Sequence, residues 1–362
     1  MRLKSALRRG VAAAVIAGIV VSSGIPAYAI RWDIAEGNIT VEAGGAERTN
    51  KVTQGGTTKE DRDTVITGES KEHTVTIDTS GGKVDVTFDD LKIDVSGKKE
   101  GDGSSDGSAR ESKAAVTVQG GHDATIELDG KNELKSGSYH AGLEKNDEMS
   151  EDGETISGKL TIKDDKGKDG SLTAEGGEGG AGIGGGKEST GSSITIRGGA
   201  VKAVGGSNAA GIGDGAGRAS GDTDDPNPGD LYICGDAEVT AKAGSQTTDA
   251  KAPAIGGKYG EVPTENLSDD EHKVTGGRLT RLNADGTVME GMGYDYTSTP
   301  KPQPDDDEDD DDDDVPPPAQ ENAPEPLPGG MVVNGFFPAG SPSSGWTLRG
   351  LRRAASSPCS AA

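Results

Sequence analysis

The chain of 362 residues holds 62 acidic against 37 basic residues, a formal net charge of −25, with 3% aromatic and 30% hydrophobic residues. So negative a field argues against nucleic acid as a partner, and so few large apolar side chains would leave a conventional globular core of this length underfilled. A solenoid, which needs only one thin aliphatic ladder per face, fits the same composition.

At the start of the chain, Arg2, Lys4, Arg8 and Arg9 precede the apolar stretch Val11 to Val21, and Ala27-Tyr28-Ala29 has the small-x-small form of a cleavage site. Residues 1–29 therefore read as a secretory signal peptide. The apolar stretch is closed by Ser22, Ser23, Gly24 and Pro26 and is too short to span a bilayer. No second long apolar run follows, so the mature chain is expected outside the cell, with no segment inserted in a membrane. Residues 30–83 carry the short strand-like runs Ile39 to Val41, Val65-Ile66 and Val75 to Ile77. They are expected to form an N-terminal cap and irregular first coils, because an open solenoid end invites edge pairing.

Residues 84–298 are repetitive. The phrase Ala181-Gly182-Ile183-Gly184-Gly185-Gly186 returns as Ala210-Gly211-Ile212-Gly213-Asp214-Gly215 and again, altered, as Pro253-Ala254-Ile255-Gly256-Gly257-Lys258. Each copy follows two short runs that alternate apolar and polar residues, such as Leu160-Thr161-Ile162 with Leu172-Thr173-Ala174. Counting back, the first run recurs at 86, 126, 160, 194 and 231, at intervals of 40, 34, 34 and 37, the range of a solenoid repeat. Three runs per unit with glycine at the corners predict a triangular coil, and stacked coils bury an aliphatic ladder at about 4.8 Å per step. The expected rung holds Leu128, Ile162, Ile196 and Ile233. The fold class is thus all-β, a single-stranded parallel β-helix. Gly97 to Lys113 and Lys145 to Gly158 are polar insertions, which in a solenoid project from corners, and Val274 to Leu282 is expected to be the last coil or a cap.

The succession Val86-Thr87-Phe88-Asp89-Asp90-Leu91, Ala124-Thr125-Ile126-Glu127-Leu128-Asp129-Gly130, His140-Ala141-Gly142-Leu143 and Gly180-Ala181-Gly182-Ile183-Gly184-Gly185-Gly186 resembles the secreted carbohydrate-binding β-helix proteins of Gram-positive bacteria. The resemblance covers roughly residues 84 to 258. It implies a right-handed parallel β-helix with a pectate-lyase-like fold, polysaccharide binding and bound calcium. The same glycine phrase also occurs in repetitive surface proteins without a known ligand.

Residues 299–328 change character. The ten consecutive acids from Asp305 to Asp314 lie between proline-rich flanks, a composition expected to stay extended and unfolded as a stalk. Leu327-Pro328-Gly329-Gly330 lacks the Thr of a Leu-Pro-x-Thr-Gly sorting signal, and residues 329–362 read as an unstructured tail. Wall association is therefore weighed against free secretion. Cys234 and Cys359 are far apart, and they suggest neither a disulfide scaffold nor a thiolate metal site.

The glycines at 180, 182 and 185 satisfy G-x-G-x-x-G, but a strand rather than a helix is expected after them, so nucleotide binding is rejected. His73, His122, His140 and His272 share no ligand spacing and are expected to be solvated. Stacked acids repel unless a cation lies between them, which makes Asp89, Asp90 and Asp129, with Asp164 and Asp165 further along the row, candidate Ca²⁺ ligands. The alternative is an ionic ladder of Asp129 against Lys163. Tyr139, Tyr232 and Tyr259 are the candidate aromatic platforms for a sugar. The leading expectation is a non-catalytic, adhesive polysaccharide or glycan binder at the host or wall surface. A polysaccharide lyase or hydrolase of the same fold, using Asp89, Asp129, Lys163 and Arg197, and a purely structural spacer are the alternatives.

Overall fold

The computed structural model describes residues 30–97, 112–147, 156–217, 231–246, 252–257, 260–261, 272–290 and 294–295. The expectations for the signal peptide, the acidic stalk, the tail and Tyr259 lie outside the described residues.

The described chain is almost entirely β and winds into a parallel β-solenoid of about five turns. Its first face stacks Val65–Ser70, Val84–Asp94, Ala124–Asp129, Leu160–Lys163, Ile194–Ile196, Leu231–Ile233 and His272–Val274. The second face stacks Lys131–Lys135, Ser171–Glu175, Ala200–Val204, Glu238–Lys242 and Arg278–Leu282. Val84–Asp94 runs through the corner between them, pairing with Ala124–Asp129 by its first half and with Lys131–Lys135 by its end, so both faces belong to one sheet. The third face, from Ile39–Ala43 through Val75–Asp78, Val116–Gln119, Leu143–Glu144, Ile183–Gly184 and Ile212–Gly213 to Ile255–Gly257, is a separate sheet.

Alternation decides which side chains enter the core. On the second face, Leu172, Val201, Val239 and Leu279 stack inward, while Thr173, Lys202 and Thr240 point out. On the third, Val75, Val116, Leu143, Ile183, Ile212 and Ile255 form one column, and every member is buried. The last coil ends the apolar ladder with Arg281, fully buried and in register with Ala241. Antiparallel strands cover the ends: Asn50–Gln54 and Thr57–Asp61 extend Ile39–Ala43 as a meander, and Tyr294–Asp295 pairs with Arg278–Leu282. The outermost strand at the first end, Thr57–Asp61, is polar throughout and mostly exposed, which discourages further pairing.

The expected ladder is corrected at one coil. Ile126, not Leu128, is in register with Ile162, and Leu128 pairs with Phe88. Ala124–Asp129 presents three inward residues, Ala124, Ile126 and Leu128, all buried. Alignment on the two larger ones skipped the alanine and slid the coil by one pleat. Ile162, Ile196 and Ile233 are stacked as expected.

Candidate functional site

The pleat that buries Ile126, Ile162 and Ile196 turns the residues between them outward on the first face. One outward column holds Asp85, Thr125, Thr161, Thr195 and Tyr232. A second holds Thr87, Glu127 and Lys163, with Arg197 following Ile196 on the next rung. A groove of about 460 Å³ follows these columns, and Arg62, Lys83, Lys159 and Lys166 join Lys163 and Arg197 along it. Asp63, Asp85, Asp123 and Glu127 are its acids.

The charges are partly spent on one another. Lys163 Nζ lies 2.6 Å from Asp165 Oδ2 and 3.0 Å from Glu127 Oε2. The second contact is an ion pair whose direction misses hydrogen-bonding geometry, which leaves Glu127 Oε2 buried without a hydrogen bond. The other oxygen, Oε1, accepts from the Asp165 and Lys166 amides and so fixes the corner after the strand. Burial disfavours the Lys163 ammonium, but the two carboxylates outweigh it and raise the pKa. Lys83 pairs with Asp85, and Lys166 with Asp63. Among the described residues, Arg62, Lys159 and Arg197 make no ion pair. Among the described residues the groove thus keeps three cations outside any ion pair in a strongly acidic chain, although the Arg197 charge still acts on the Asp165 carboxylate.

The expected acid row is divided. Asp89 and Asp129 are in register, and burial first, then the fields of Asp89, Asp169 and Asp90, raises the Asp129 pKa while Arg31 opposes. The cation beside them is a side chain, since Arg31 pairs with Asp89. Asp90 has φ +51 and accepts the Lys131 amide. Asp164 is buried, and its two oxygens accept the Lys168 and Gly170 amides, at 2.9 and 3.0 Å. Asp165 is held by Lys163. Asp89, Asp90 and Asp169 all act on Asp129, while among the described residues no group of three or more His, Cys, Asp or Glu is arranged to hold a metal. The alternative ladder also changes partner: Lys163 faces Glu127, not Asp129, as a consequence of the one-pleat correction.

Of the tyrosines, Tyr232 lies in the outward column of the first face and is half-buried. Tyr139 is 51% exposed on the corner before Leu143–Glu144, with φ +73 and Lys187 Nζ 4.6 Å from its ring centre. The two do not share a face.

Three features were not anticipated. Thr195 points outward yet is only 1% exposed, flanked in register by Thr161 and the larger Tyr232. His140 is half-buried, and its Nδ1 lies 2.8 Å from Glu144 Oε2; that hydrogen bond, partly offset by burial, raises its pKa. The spacing of His140 and Glu144, four apart on either side of a corner, is the signal that was overlooked. Cys234, which follows Leu231–Ile233, is disulfide-bonded, contrary to the expectation from spacing.

Compared with known proteins, the chain matches no family model, no curated protein and no solved structure.

Proposed function

We propose that this chain is a secreted or surface-associated, non-catalytic solenoid that binds an acidic polysaccharide along its first face in an adhesive role. The observation that supports this reading is the groove in which Arg62, Lys159 and Arg197 make no ion pair among the described residues, beside Thr125 and Thr161 on successive rungs. Rungs about 4.8 Å apart repeat on a scale comparable to a single sugar ring. A polymer lying along the solenoid axis would then meet the Thr125 and Thr161 hydroxyls on successive rungs, with cations beside them. Charge-assisted hydrogen bonds from arginine to carboxylate are the strong contacts in such a site.

A lyase reading receives less support. Its base would be Lys163, and the Asp165 and Glu127 carboxylates hold that amine in its protonated form. Calcium is not needed for the polymer contact described here.

The reading is tested by titrating the full chain with polygalacturonate and with neutral dextran. Binding to the acidic polymer alone is expected, and it should weaken as the Debye length falls from about 30 Å at 0.01 M to about 3 Å at 1 M ionic strength. Arg197→Ala should weaken binding about 5- to 30-fold, the equivalent of about 1–2 kcal/mol. Absence of binding to either polymer leaves the structural spacer as the surviving reading.

A further inference from the structure

We propose that the groove of the first face is also the docking site for the chain's own acidic run, Asp305 to Asp314, so that the molecule carries an internal competitor for its polyanionic ligand. The proposal rests on the polysaccharide reading only for its biological meaning; the docking itself stands on charge and reach.

The charge complementarity is local. The run is ten consecutive acids, whereas Arg62, Lys159 and Arg197 are cations without an ion pair among the described residues, Arg197 acting only through space on Asp165. The rest of the chain remains net acidic, so its long-range field opposes approach. At physiological ionic strength, however, the Debye length is about 8 Å, and only charges lining the contact act on a docked segment. The local attraction therefore decides.

Reach is sufficient. The last described residue, Asp295, pairs on the terminal coil, and Asp305 follows ten residues later. Ten extended residues span about 33 Å. The groove around Leu160–Lys163 lies three rungs from His272–Val274, about 15 Å along the axis, which leaves half of that length to cross to the neighbouring face.

The test is zero-length carbodiimide cross-linking of the full chain, which joins lysine amines to carboxylates in contact, followed by mass spectrometry. An equal mixture of ¹⁴N- and ¹⁵N-labelled protein separates links within a chain from links between chains. Docking predicts same-label links from the run to Lys159 and Lys163, enriched at least tenfold over links from the run to Lys131 and Lys202 on the second face. The double variant Arg62→Glu and Arg197→Glu, which leaves the reporter lysines in place, should remove that enrichment; raising the ionic strength to about 1 M should do so without any variant. Links spread evenly over exposed lysines, links found only between labels, or no links from the run overturn the proposal. If the links form but polygalacturonate does not bind, docking stands and the polysaccharide reading falls. If polygalacturonate binds equally well with and without the run neutralised to Asn and Gln, and no links form, docking falls and the polysaccharide reading stands.

Discussion

Ile196 shows how much a single inward side chain carries. It is fully buried between Ile162 and Ile233, in a column one residue wide, so truncation leaves a cavity that only the rungs above and below can relax to fill. Ile196→Ala is expected to cost about 2–5 kcal/mol in denaturant unfolding, and Ile196→Asp, which buries an unpaired charge, should prevent folding. Lys202→Ala, on an exposed outward position, should stay within about 0.5 kcal/mol of the parent. Equal losses at 196 and 202 would contradict the inward assignment. His140 supplies a residue-scale test of electrostatics. Its pKa is raised in the folded chain, chiefly by the hydrogen bond to Glu144, so the protonated form is the stabilised one. That contribution is complete below the unfolded value of about 6.5 and is lost as pH rises through the higher folded value. The parent should therefore melt at progressively lower temperature above about pH 6.5, and His140→Gln should flatten that part of the profile. A profile unchanged by the substitution would remove the pair from the stability account.

At the scale of the coil, the faces differ in what holds them. The middle of the third face is made of two-residue pairings, Leu143–Glu144, Ile183–Gly184 and Ile212–Gly213, the last two with glycine in the second position. Gly184 shows why: its φ is +131, and an added Cβ would run into the Gly213 carbonyl oxygen on the next rung. Gly184→Ala should lower the melting temperature sharply. Gly45→Ala, at an exposed glycine with open space around its Cβ position, should be neutral or slightly stabilising by the loss of unfolded-chain freedom. Comparable damage from both would mean that the coils do not approach as closely as described. The glycine phrase made the coil legible in the sequence because steric need repeats wherever rungs meet. The strand runs were legible too, through alternation. The register between Ala124–Asp129 and Leu160–Lys163 was not, because a small inward alanine looks like no ladder residue, and that slip moved Lys163 from Glu127 to Asp129. The groove was less legible still. Its cations come from Arg62, Lys83, Lys159, Lys166 and Arg197, which lie in different repeats and at strand ends, so only closure of the coils brings them together. Alternation gives the outward direction of Thr195 but not its burial, since neighbouring bulk decides exposure.

Over the whole molecule, the solenoid is close to a one-dimensional stack in which each coil contacts its neighbours, so coil number should be adjustable while register is not. Leu172 and Val201 occupy the same inward position one coil apart, as do Leu143, Ile183 and Ile212 two steps along the third face. Deleting Leu172 through Ala200 joins Ser171 to Val201 and removes one turn in register. It sets Leu160 against Leu231 on the first face and Leu143 against Ile212 on the third, pairings that keep every inward position aliphatic. This shortened chain should fold and melt cooperatively, at a lower temperature than the parent because one set of interfaces is gone. Deleting Leu172 through Val201 removes a single further residue, yet it places Lys202 at the inward position and Ala203 outside, and a one-residue slip turns every side chain of that strand to the wrong face. The seven-residue corner before the junction offers little slack, since Asp164 pins it through the Lys168 and Gly170 amides. The second deletion should therefore fail to give a cooperative melt by circular dichroism. Two deletions that fold equally well would show that the coils find their register from something other than the inward ladder.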